Sequence, residues 1–470
     1  MYTYQDWLKV ANKSEDERMA FILTVINDHK GSAEYQEALS GEDYFAAQNT
    51  TIKRYEKVLF NAMGQAIPDY VSSNHKLASR FFYRDITQAN AVLLGNGIKW
   101  KNGKGEEALG DDFDRKIIDA GRCAMAEGKA FGFYNNNKVE IFKLLEYKPF
   151  FDEEDGLMKA GIRFWQLAPN KPMRATVYEL DGYTEYRYDD TKGEVLQPKR
   201  TYIVEKKVTP ADGEEITPFR NYPTFPIVPL YSNDLKQSEL IPLRPKIDAI
   251  DLISSGYAND VSDANIIYWT ISNASGMDDV DLVQTIDKLR KLHAAQVDND
   301  QIITSNQVEV PFASREAVLD RLEEELYKDA MAFNPYDVAS GAITATQIEA
   351  AYDPLDEKLD IFERHITEFI KGLLAVAGVD DDPTYERNYH TNKTEIINNV
   401  LNGAMYLDDQ YITEKVMTLL GDKDKVDEVL KRKAEEDVKR MTTGKSETEE
   451  TEETEEEENV NADTEGEQEL

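Results

Sequence analysis

Apolar and polar residues alternate with two different periods along this chain of 470 residues. In the second half of the chain the apolar residues return every three or four positions, which is the spacing of an amphipathic helix. The pattern predicts helices over 245–263, 314–333 and 345–377. The third helix is interrupted only at Asp353-Pro354, where the missing N–H of proline predicts a kink.

The first of these helices has two unlike faces. Ile247, Ile250 and Ile253 lie at helical spacing on one side, and we expect this side to pack. The opposite side, which we expect to meet water, is polar and carries Asp248, Asp251, Ser255, Asn259 and Ser262. The helix over 314–333 has a strongly acidic polar surface that includes Glu323 and Glu324.

A compact insert separates the first two helices. Residues 266–271 are rich in β-branched and aromatic side chains and predict a strand, as does the segment 301–310. Ser275 is a plausible N-cap for a helix between these strands. That helix ends in the basic residues Lys288, Arg290, Lys291 and His293, where cations suit the C-terminal end of the helix dipole. The insert is therefore predicted to be a small α/β unit.

The first half of the chain changes from a helical to an alternating pattern. Residues 1–125 are mainly helical in pattern, whereas 129–208 alternate as β-strands do. Turn residues separate five runs, which predict an antiparallel meander of strands at 130–134, 139–142, 162–165, 175–178 and 184–188. Near the C-terminus the pattern predicts a short strand at 389–395 and helices at 413–420 and 426–441.

A loop of small residues follows the second helix. Pro335 and Gly341 stop helices, and the small side chains around them permit close approach to another molecule. The run 340–347, with Tyr352 and Pro354-Leu355 after it, resembles the tunnel loop and kinked helix of portal proteins of tailed double-stranded DNA bacteriophages, of the siphophage type. Ile247-Asp248-Ala249 and the run 255–260 resemble the first stem helix of that family.

The resemblance implies an α+β portal fold with a helical and β-rich wing, a two-helix stem, a small α/β clip, a tunnel loop, a long kinked helix and a helical crown. The implied boundaries are 1–239 for the wing, 240–263 for stem helix 1, 264–312 for the clip, 313–333 for stem helix 2, 334–346 for the tunnel loop, 347–400 for the long helix and the return to the wing, 401–441 for the crown and 442–470 for a disordered acidic tail.

The resemblance also implies three groups of functional residues. The tunnel loop would face DNA with Ala339, Ser340, Gly341, Ala342, Thr344 and Thr346. The stem would line the channel with Asp248, Asp251, Ser255, Asn259, Glu323 and Glu324. The clip would dock partners through Lys288, Arg290, Lys291 and His293, although the same cations suit the helix end itself.

The function implied by the resemblance is that of a ring subunit, twelve copies at one capsid vertex, through which double-stranded DNA enters and leaves without sequence specificity. The implied partners are the large terminase subunit, head-completion or adaptor proteins, scaffolding protein and the major capsid protein. Assembly would take place in the bacterial cytoplasm and the product would belong to the virion. No cofactor, metal or catalytic activity is expected.

The charge of the chain fits a conduit for DNA. The formal net charge is −36, and the tail 442–470 has one lysine against thirteen acids. Proteins that bind DNA tightly neutralise phosphates with clustered cations, and each such contact must be broken before the strand can move. Acidic helices around a duplex would instead repel it and keep it centred. The tail itself is a solubilising appendage or a docking segment for a basic partner.

Patterns for catalysis or metal binding are weak in this sequence. The glycine-rich tract 95–105 has the wrong register for a nucleotide loop and lacks its Ser or Thr, so we expect a surface hairpin turn. The five histidines are scattered, and the lone Cys123 is expected to pack in the core. The acidic runs 152–155 and 380–382 are expected to be solvated loops, and the tyrosines at 183–188 to pack on a sheet.

Two other classes of protein stay open. A nucleotide-dependent DNA-processing enzyme would need the phosphate loop that the sequence lacks, and a monomeric interaction protein could use its acidic tail to bind basic partners. The size of the assembly distinguishes a ring from a monomer. The first ten residues do not resemble a signal peptide, and no run of about 18 apolar residues occurs, so neither secretion nor membrane insertion is expected.

Overall fold

A computed structural model supplies the structure of this chain. It describes residues 2–60, 64–69, 72–189, 192–203, 206–208, 214–216, 220–263, 268–272, 280, 284, 302–306, 312–338, 345–389, 393–422 and 425–435. The chain divides into two compact units. The first comprises Met1–Ala339 and Ala351–Asn388, and the second comprises Ser340–Ala350 and Tyr389–Leu470.

The helices are labelled here in chain order. They are α1 Tyr4–Ala11, α2 Glu15–Gly31, α3 Ala33–Phe45, α4 Thr50–Arg54, α5 Phe81–Leu94, α6 Lys104–Leu109, α7 Phe113–Glu127, α8 Leu240–Asp263, α9 Phe312–Ala330, α10 Ala345–Ala377, α11 Lys393–Asn402 and α12 Asp409–Leu420. Short 3₁₀ turns lie at Leu144–Glu146, Pro335–Val338 and Ala404–Tyr406. None of the described helices is long and apolar enough to cross a membrane.

The strands are labelled in the same way. They are β1 Val58–Phe60, β2 Ala66–Pro68, β3 Ile98–Trp100, β4 Lys129–Tyr134, β5 Val139–Lys143, β6 Tyr147–Phe151, β7 Met158–Trp165, β8 Met173–Glu179, β9 Gly182–Asp189, β10 Lys192–Arg200, β11 Lys206–Val208, β12 Glu214–Ile216, β13 Ile227–Tyr231, β14 Tyr268–Ser272, β15 Ile302–Asn306 and β16 Pro383–Tyr385. All pairings between them are antiparallel.

The predicted meander is divided between two sheets. Strands β6 to β10 form a five-stranded sheet in the order β10-β9-β8-β7-β6, whereas β4 and β5 pair with β13 in a separate three-stranded sheet. All five predicted strands are present, but a single meander is wrong, because among the described strands β5 pairs only with β4 and does not continue into the five-stranded sheet; the other neighbour of β4 is β13. Sequence periodicity identifies a strand but not its neighbour.

The N-terminal helices cover the five-stranded sheet. Capping boxes at Thr3 and Ser14 start α1 and α2, since each side chain accepts the backbone N–H three residues later. Trp7 stacks on Phe150 at a ring distance of 6.3 Å. Tyr186 and Tyr188 are buried in the same apolar cluster, which confirms that these tyrosines pack on a sheet.

The long helix α10 packs against the three-stranded sheet. Its buried residues recur at steps of three and four, and they are Tyr352, Leu355, Leu359, Phe362, Ile366, Phe369 and Leu373. A Cβ added at Gly132 of β4 would lie 2.4 Å from Cζ of Phe369, so glycine permits the close approach of helix and strand. The helix runs unbroken from Ala345 to Ala377 through Pro354, as predicted for this segment; the kink at Pro354 stays a prediction.

The glycine-rich tract differs from the predicted hairpin turn. Strand β3 pairs with the distant β16, and the amides of Asn102 and Gly105 donate to the carboxylate of Asp381 at 2.9 and 3.0 Å. These donors hold the pKa of Asp381 below its usual value even though burial raises it. The prediction of a solvated loop is therefore wrong at Asp381, and also at buried Asp152, which accepts from Gln5 and Lys159.

The second unit is helical in its described parts. The predicted helix at 413–420 is present as α12, and residues 426–435 of the predicted 426–441 are helical. The strand predicted at 389–395 is wrong, because α11 begins at Lys393 and the nearby strand is β16. The whole predicted acidic tail, 442–470, lies outside the described residues.

Candidate functional site

The polar stripe of α8 is buried, contrary to the prediction. Asp251, Ser255 and Asn259 are 1%, 2% and 5% exposed. They continue the line of the buried residues Leu243 and Ile247 at steps of four along the helix. The prediction that these polar residues meet water is therefore wrong, and they cannot line a channel while they are enclosed within their own subunit.

A segment without regular secondary structure, residues 72–80, covers this stripe; we call it the strap. The amide of Ser79 donates to Oδ1 of Asp251 at 2.8 Å, that of Leu77 to Oγ of Ser255 at 2.9 Å and that of His75 to Oδ1 of Asn259 at 2.6 Å. Four residues of helix rise about 6.0 Å and two residues of extended chain about 6.6 Å. Every second amide of the strap therefore meets the next side chain of the stripe.

Three more hydrogen bonds to carboxylates tie α8 to the N-terminal region. Nδ2 of Asn49 donates to Oδ2 of Asp251 at 2.5 Å. Burial raises the pKa of Asp251, an effect that the Asn49 and Ser79 donors oppose. Asp248, half-buried, accepts from the hydroxyl of Tyr44 and from Oγ1 of Thr51 at 2.8 Å. Asp248 and Asp251 of α8 thus form their hydrogen bonds mainly within their own subunit.

Helix α9 packs on the opposite side of α8. Nζ of Lys246 lies 2.6 Å from Asp329, and Arg315 forms an ion pair with Asp260. Lys246 lies roughly 180° around α8 from Ser255, since each residue turns the helix by about 100°. The strap and α9 therefore flank α8 from opposite sides.

The acidic residues of α9 remain exposed, as predicted for Glu323 and Glu324. Glu324 pairs with Lys328 at 2.6 Å along the helix. Glu316 and Asp320, two turns and one turn nearer the start of the helix than Glu324, are exposed and have no ion pair among the described residues. Of the six predicted channel-lining residues, only the two on α9 are fully available to a channel.

The junction between α9 and α10 fixes both ends of the predicted tunnel loop. The rings of Phe333 and Tyr352 stack at 4.2 Å. Nζ of Lys358 contacts both carboxylate oxygens of buried Asp85 and the carbonyl of Ala330, all at 3.1 Å. Burial lowers the pKa of Lys358, but the attraction of Asp85 and Glu239 outweighs it and the pKa is raised. The end of α9 is thereby clamped to α10.

Most of the predicted contact residues lie outside the described part of the chain. These are Ala339, Ser340, Gly341, Ala342 and Thr344 of the loop, and Lys288, Arg290, Lys291 and His293 of the clip. Thr346 belongs to α10, but its side chain is not described. Strands β14 and β15 pair antiparallel, so both strands predicted for the α/β insert are present.

One buried cluster combines residue types that bind metal ions. Side-chain atoms of Glu42, Cys123 and Glu127 lie within 4.8 Å of one another. Arg122 and Lys143 donate to Oε1 of Glu42 at 3.0 and 3.1 Å, so cations already neutralise that carboxylate. Burial, and then the neighbouring Glu42, raises the pKa of Glu127 well above its usual value. This cluster is better suited to sharing a proton than to binding a metal.

Sequence periodicity could not reveal the strap. The segment is short and irregular, and its backbone amides, not its side chains, make the three contacts with α8. The stripe itself offered one clue: Asp251, Ser255 and Asn259 follow Leu243 and Ile247 at a constant step of four, which continues a buried line.

Comparison with known proteins identifies relatives of this chain. The family described as "Phage portal protein, SPP1 Gp6-like" matches residues 26–439, which include α8, α9 and α10. The portal protein of Clostridium phage phiCD119 is 24% identical over 411 residues, covering 77% of this chain and 85% of the relative. The portal protein of Bacillus phage SPP1 is 22% identical over 410 residues, covering 78% and 77%.

Solved structures give a more distant likeness. A chain in the neck of a native gene transfer agent particle, computed with C12 symmetry, has a TM-score of 0.42 and 9% identity, covering 72% of this chain and 89% of that chain. A chain in the virion of the native particle also has a TM-score of 0.42, with 10% identity and the same coverage.

Proposed function

The chain belongs to the phage portal protein family of the SPP1 Gp6-like type and serves as a portal at a capsid vertex; we propose that its copies form a ring whose central channel passes double-stranded DNA during packaging and ejection. The observation that carries this proposal is the family match over residues 26–439, which spans the two packed helices and the long helix without omission. A ring of twelve copies is the expected size.

We propose that Glu323 and Glu324 belong to the channel wall. Both are exposed on α9, which is held to α8 by ion pairs on its other side. A carboxylate near the path of DNA repels phosphates, so the duplex is centred and no cation has to be released at each step. Asp251, Ser255 and Asn259 have a different task, which is to hold the strap.

The loop 339–344 is proposed to approach DNA most closely. Contacts near the loop support this proposal. Phe333 stacks on Tyr352, and Lys358 links Asp85 to the end of α9. These contacts hold the two helices from which the loop emerges. The small residues of the loop, from Ala339 to Thr346, then allow the backbone to come near a passing duplex.

The remaining parts of the proposal concern partners. The clip residues Lys288, Arg290, Lys291 and His293 are proposed to dock the large terminase subunit and later the head-completion proteins. The wing is proposed to contact scaffolding and major capsid proteins. Assembly in the bacterial cytoplasm and a structural role without catalysis belong to the same proposal.

Electron microscopy of the purified chain tests the ring. We expect particles with a central hole, together with a sedimentation coefficient far above that of a 53.6 kDa monomer. A chain that stays monomeric at high concentration, alone and with its scaffolding protein, would contradict the proposal and favour the acidic interaction protein. Hydrolysis of ATP by the purified chain would favour the DNA-processing enzyme.

DNA packaging tests the acidic wall separately. Glu323→Gln with Glu324→Gln should slow or stall packaging into particles that contain normal rings. The matched control is Glu106→Gln with Glu107→Gln, two exposed acids on the short helix α6. Equal packaging by both pairs would show that acidic repulsion from α9 is not needed.

A further inference from the structure

Two surfaces of opposite charge lie on opposite sides of α8. Residues 50–84, which include the strap, contain six bases and two acids in a chain whose net charge is −36. The exposed face of α9 carries Glu316 and Asp320. Because the strap and α9 flank α8 from opposite sides, the subunit presents a basic surface on one side and an acidic surface on the other.

The basic surface consists of Arg54, Lys76, Leu77 and Arg80. All four residues are exposed, and none of the three cations has a carboxylate partner among the described residues. Nζ of Lys76 donates to the carbonyl of Lys53 at 2.8 Å, and the Arg80 guanidinium lies 4.6 Å from the centre of the Tyr83 ring. Leu77 is 47% exposed although its amide is bound to Ser255. Cations around an exposed apolar side chain are typical of a protein interface.

The acidic surface is turned away from α8. Glu316 and Asp320 lie roughly 140° and 180° around α9 from Asp329, which pairs with Lys246 of α8. Neither acid has an ion pair among the described residues, whereas Glu324 and Glu325 of the same helix pair with Lys328 and Arg321. The acids at the start of α9 are therefore available to another molecule.

The two surfaces lie at the same height along α8. Asn259 and Ser255 bind the strap amides on either side of Lys76, at residues 75 and 77. On the other side of α8, Arg315 pairs with the neighbouring residue Asp260, and α9 runs antiparallel to α8 because its later residue Asp329 pairs with Lys246. Because Glu316 and Asp320 follow Arg315 on the antiparallel helix α9, they lie at about the heights of Asn259 and Ser255 along α8.

We propose that the basic surface of one subunit binds the acidic surface of a second copy of this chain, so that the strap and the start of α9 form the contact between neighbours in the ring. The proposal rests on the ring assembly proposed above. A contact between two different surfaces on opposite sides of a subunit repeats around a rotation axis and gives a ring when the rotation closes. The proposal includes a ring axis parallel to α8; rotation about such an axis preserves height, so that Lys76 would meet Glu316 and Asp320 of the neighbour.

The exposed apolar side chain favours a protein partner over DNA. A surface that binds phosphates needs cations but gains nothing from an exposed leucine. At a subunit contact, in contrast, burial of Leu77 adds hydrophobic stabilisation. Glu323 and Glu324, which are proposed for the channel wall, lie on the same face of α9 about one turn farther along the helix; the contact proposed here is therefore confined to the start of α9.

Charge reversal tests the contact. Arg54→Glu with Arg80→Glu should weaken self-association at least about tenfold, because like charges then face each other. Glu316→Lys with Asp320→Lys should weaken it similarly. A mixture of the two variants should form mixed pairs, and the chain with all four changes should recover rings. Lys138→Glu with Glu106→Lys, two exposed sites elsewhere, is the control and should assemble like the unchanged chain.

Cross-linking gives a second measurement that does not need intact rings. A Leu77→Cys chain mixed with an Asp320→Cys chain should form a disulfide-linked heterodimer much faster than a Lys138→Cys chain mixed with the same partner. Cys123 is buried and should not compete. Only a short distance between the two surfaces of neighbouring copies produces this difference.

The outcomes separate the contact from the function. Rings formed equally well by both charge-reversed variants, without a preferred cross-link between positions 77 and 320, would overturn the contact and leave the portal function standing. A monomeric unchanged chain without that cross-link would overturn both. Loss of DNA association by the Arg54→Glu, Arg80→Glu chain with unchanged rings would overturn the contact by assigning its basic surface to DNA.

Discussion

Two regions of this molecule attach helices in different ways. Helices α1 and α2 cover the five-stranded sheet through an apolar cluster that includes Trp7, Ile22 and Phe150. Helix α8 is covered on one side by the strap through Asp251, Ser255 and Asn259, which accept backbone amides. Apolar contact is non-directional, whereas hydrogen bonds define which residue lies opposite which. The apolar core under the five-stranded sheet thus supplies stability, and the stripe on α8 supplies register.

This difference suits a subunit that assembles. A strap held at three defined amides places Lys76 and Leu77 at defined points on the surface, as a contact between copies requires. The net gain from each hydrogen bond is only about 0.5–1.5 kcal/mol, since water also binds these groups in the unfolded chain. We therefore expect changes in the apolar core under the five-stranded sheet to cost more stability than changes in the stripe.

The largest effect is expected from Phe150→Ala. Phe150 is fully buried and stacks on Trp7, so its truncation leaves a cavity and should lower the free energy of unfolding by about 3–5 kcal/mol. Urea denaturation measures the change. Phe150→Leu, which leaves a smaller cavity, should lose less, and a loss below about 1 kcal/mol for alanine would contradict the role given to this core.

A smaller but more local effect is expected from Asp251→Ala. The change leaves Nδ2 of Asn49 and the amide of Ser79 without their buried acceptor, which should cost about 1–3 kcal/mol. Hydrogen exchange should accelerate at residues 75, 77 and 79 and stay unchanged in the five-stranded sheet. The matched control is Asp119→Ala, an exposed acid on α7, for which we expect less than about 0.5 kcal/mol. Unchanged exchange in the strap would show that Asp251 does not hold it.

Helix α2 also contains a buried histidine that makes stability depend on pH. Burial lowers the pKa of His29 from 6.5 to about 4, and its Nε2 lies 3.0 Å from the carbonyl of Leu144. Between pH 6.5 and about 4, His29 therefore takes up a proton in the unfolded chain but not in the folded chain. Stability is retained above pH 6.5 and falls as the pH is lowered towards 4, by at most about 1.4 kcal/mol per pH unit.

Urea denaturation at several pH values measures this dependence. The difference in stability between the unchanged chain and His29→Gln should shrink steadily from pH 6.5 to 4, because glutamine cannot take up a proton. A difference that is independent of pH would mean that His29 is not buried in its neutral form.

The smallest effect on stability is expected from Glu324→Gln. The carboxylate is exposed and pairs with Lys328 one turn away, so its loss should change the free energy of unfolding by less than about 0.5 kcal/mol. Thermal denaturation measures the change. A loss above about 1 kcal/mol would show that α9 depends on this surface pair, so that Glu324 also has a structural role.

Local pattern predicted the main helices of this chain well, because burial of one face imposes the helical period on the residues themselves. The predicted third helix, 345–377, matches α10, and 245–263 and 314–333 fall on α8 and α9. The predicted exposure of Glu323 and Glu324 also agrees with the structure. The predicted loop and clip contacts lie outside the described residues and stay predictions.

Predictions failed where a polar group found its partner far away in the sequence. Asp251 was expected to meet water but accepts from Asn49 and Ser79, and Asp381 was expected in a solvated loop but accepts from Asn102 and Gly105. An argument from periodicity places such polar residues on an exposed face, because their neighbours in the sequence offer them no hydrogen-bond partner. A buried carboxylate with two donors is nevertheless compatible with folding.

The sequence by itself determined the helices, the strands, the acidic character of the chain and its resemblance to phage portal proteins, since propensity, period and charge belong to short stretches of residues. Only the tertiary structure decided which strands share a sheet, which face of α8 is buried, and that the strap and the acids of α9 lie on opposite sides of that helix. These features depend on contacts between residues that lie far apart in the sequence, such as Leu77 with Ser255. No local pattern encodes such a contact, because its free energy appears only when the chain brings both partners together.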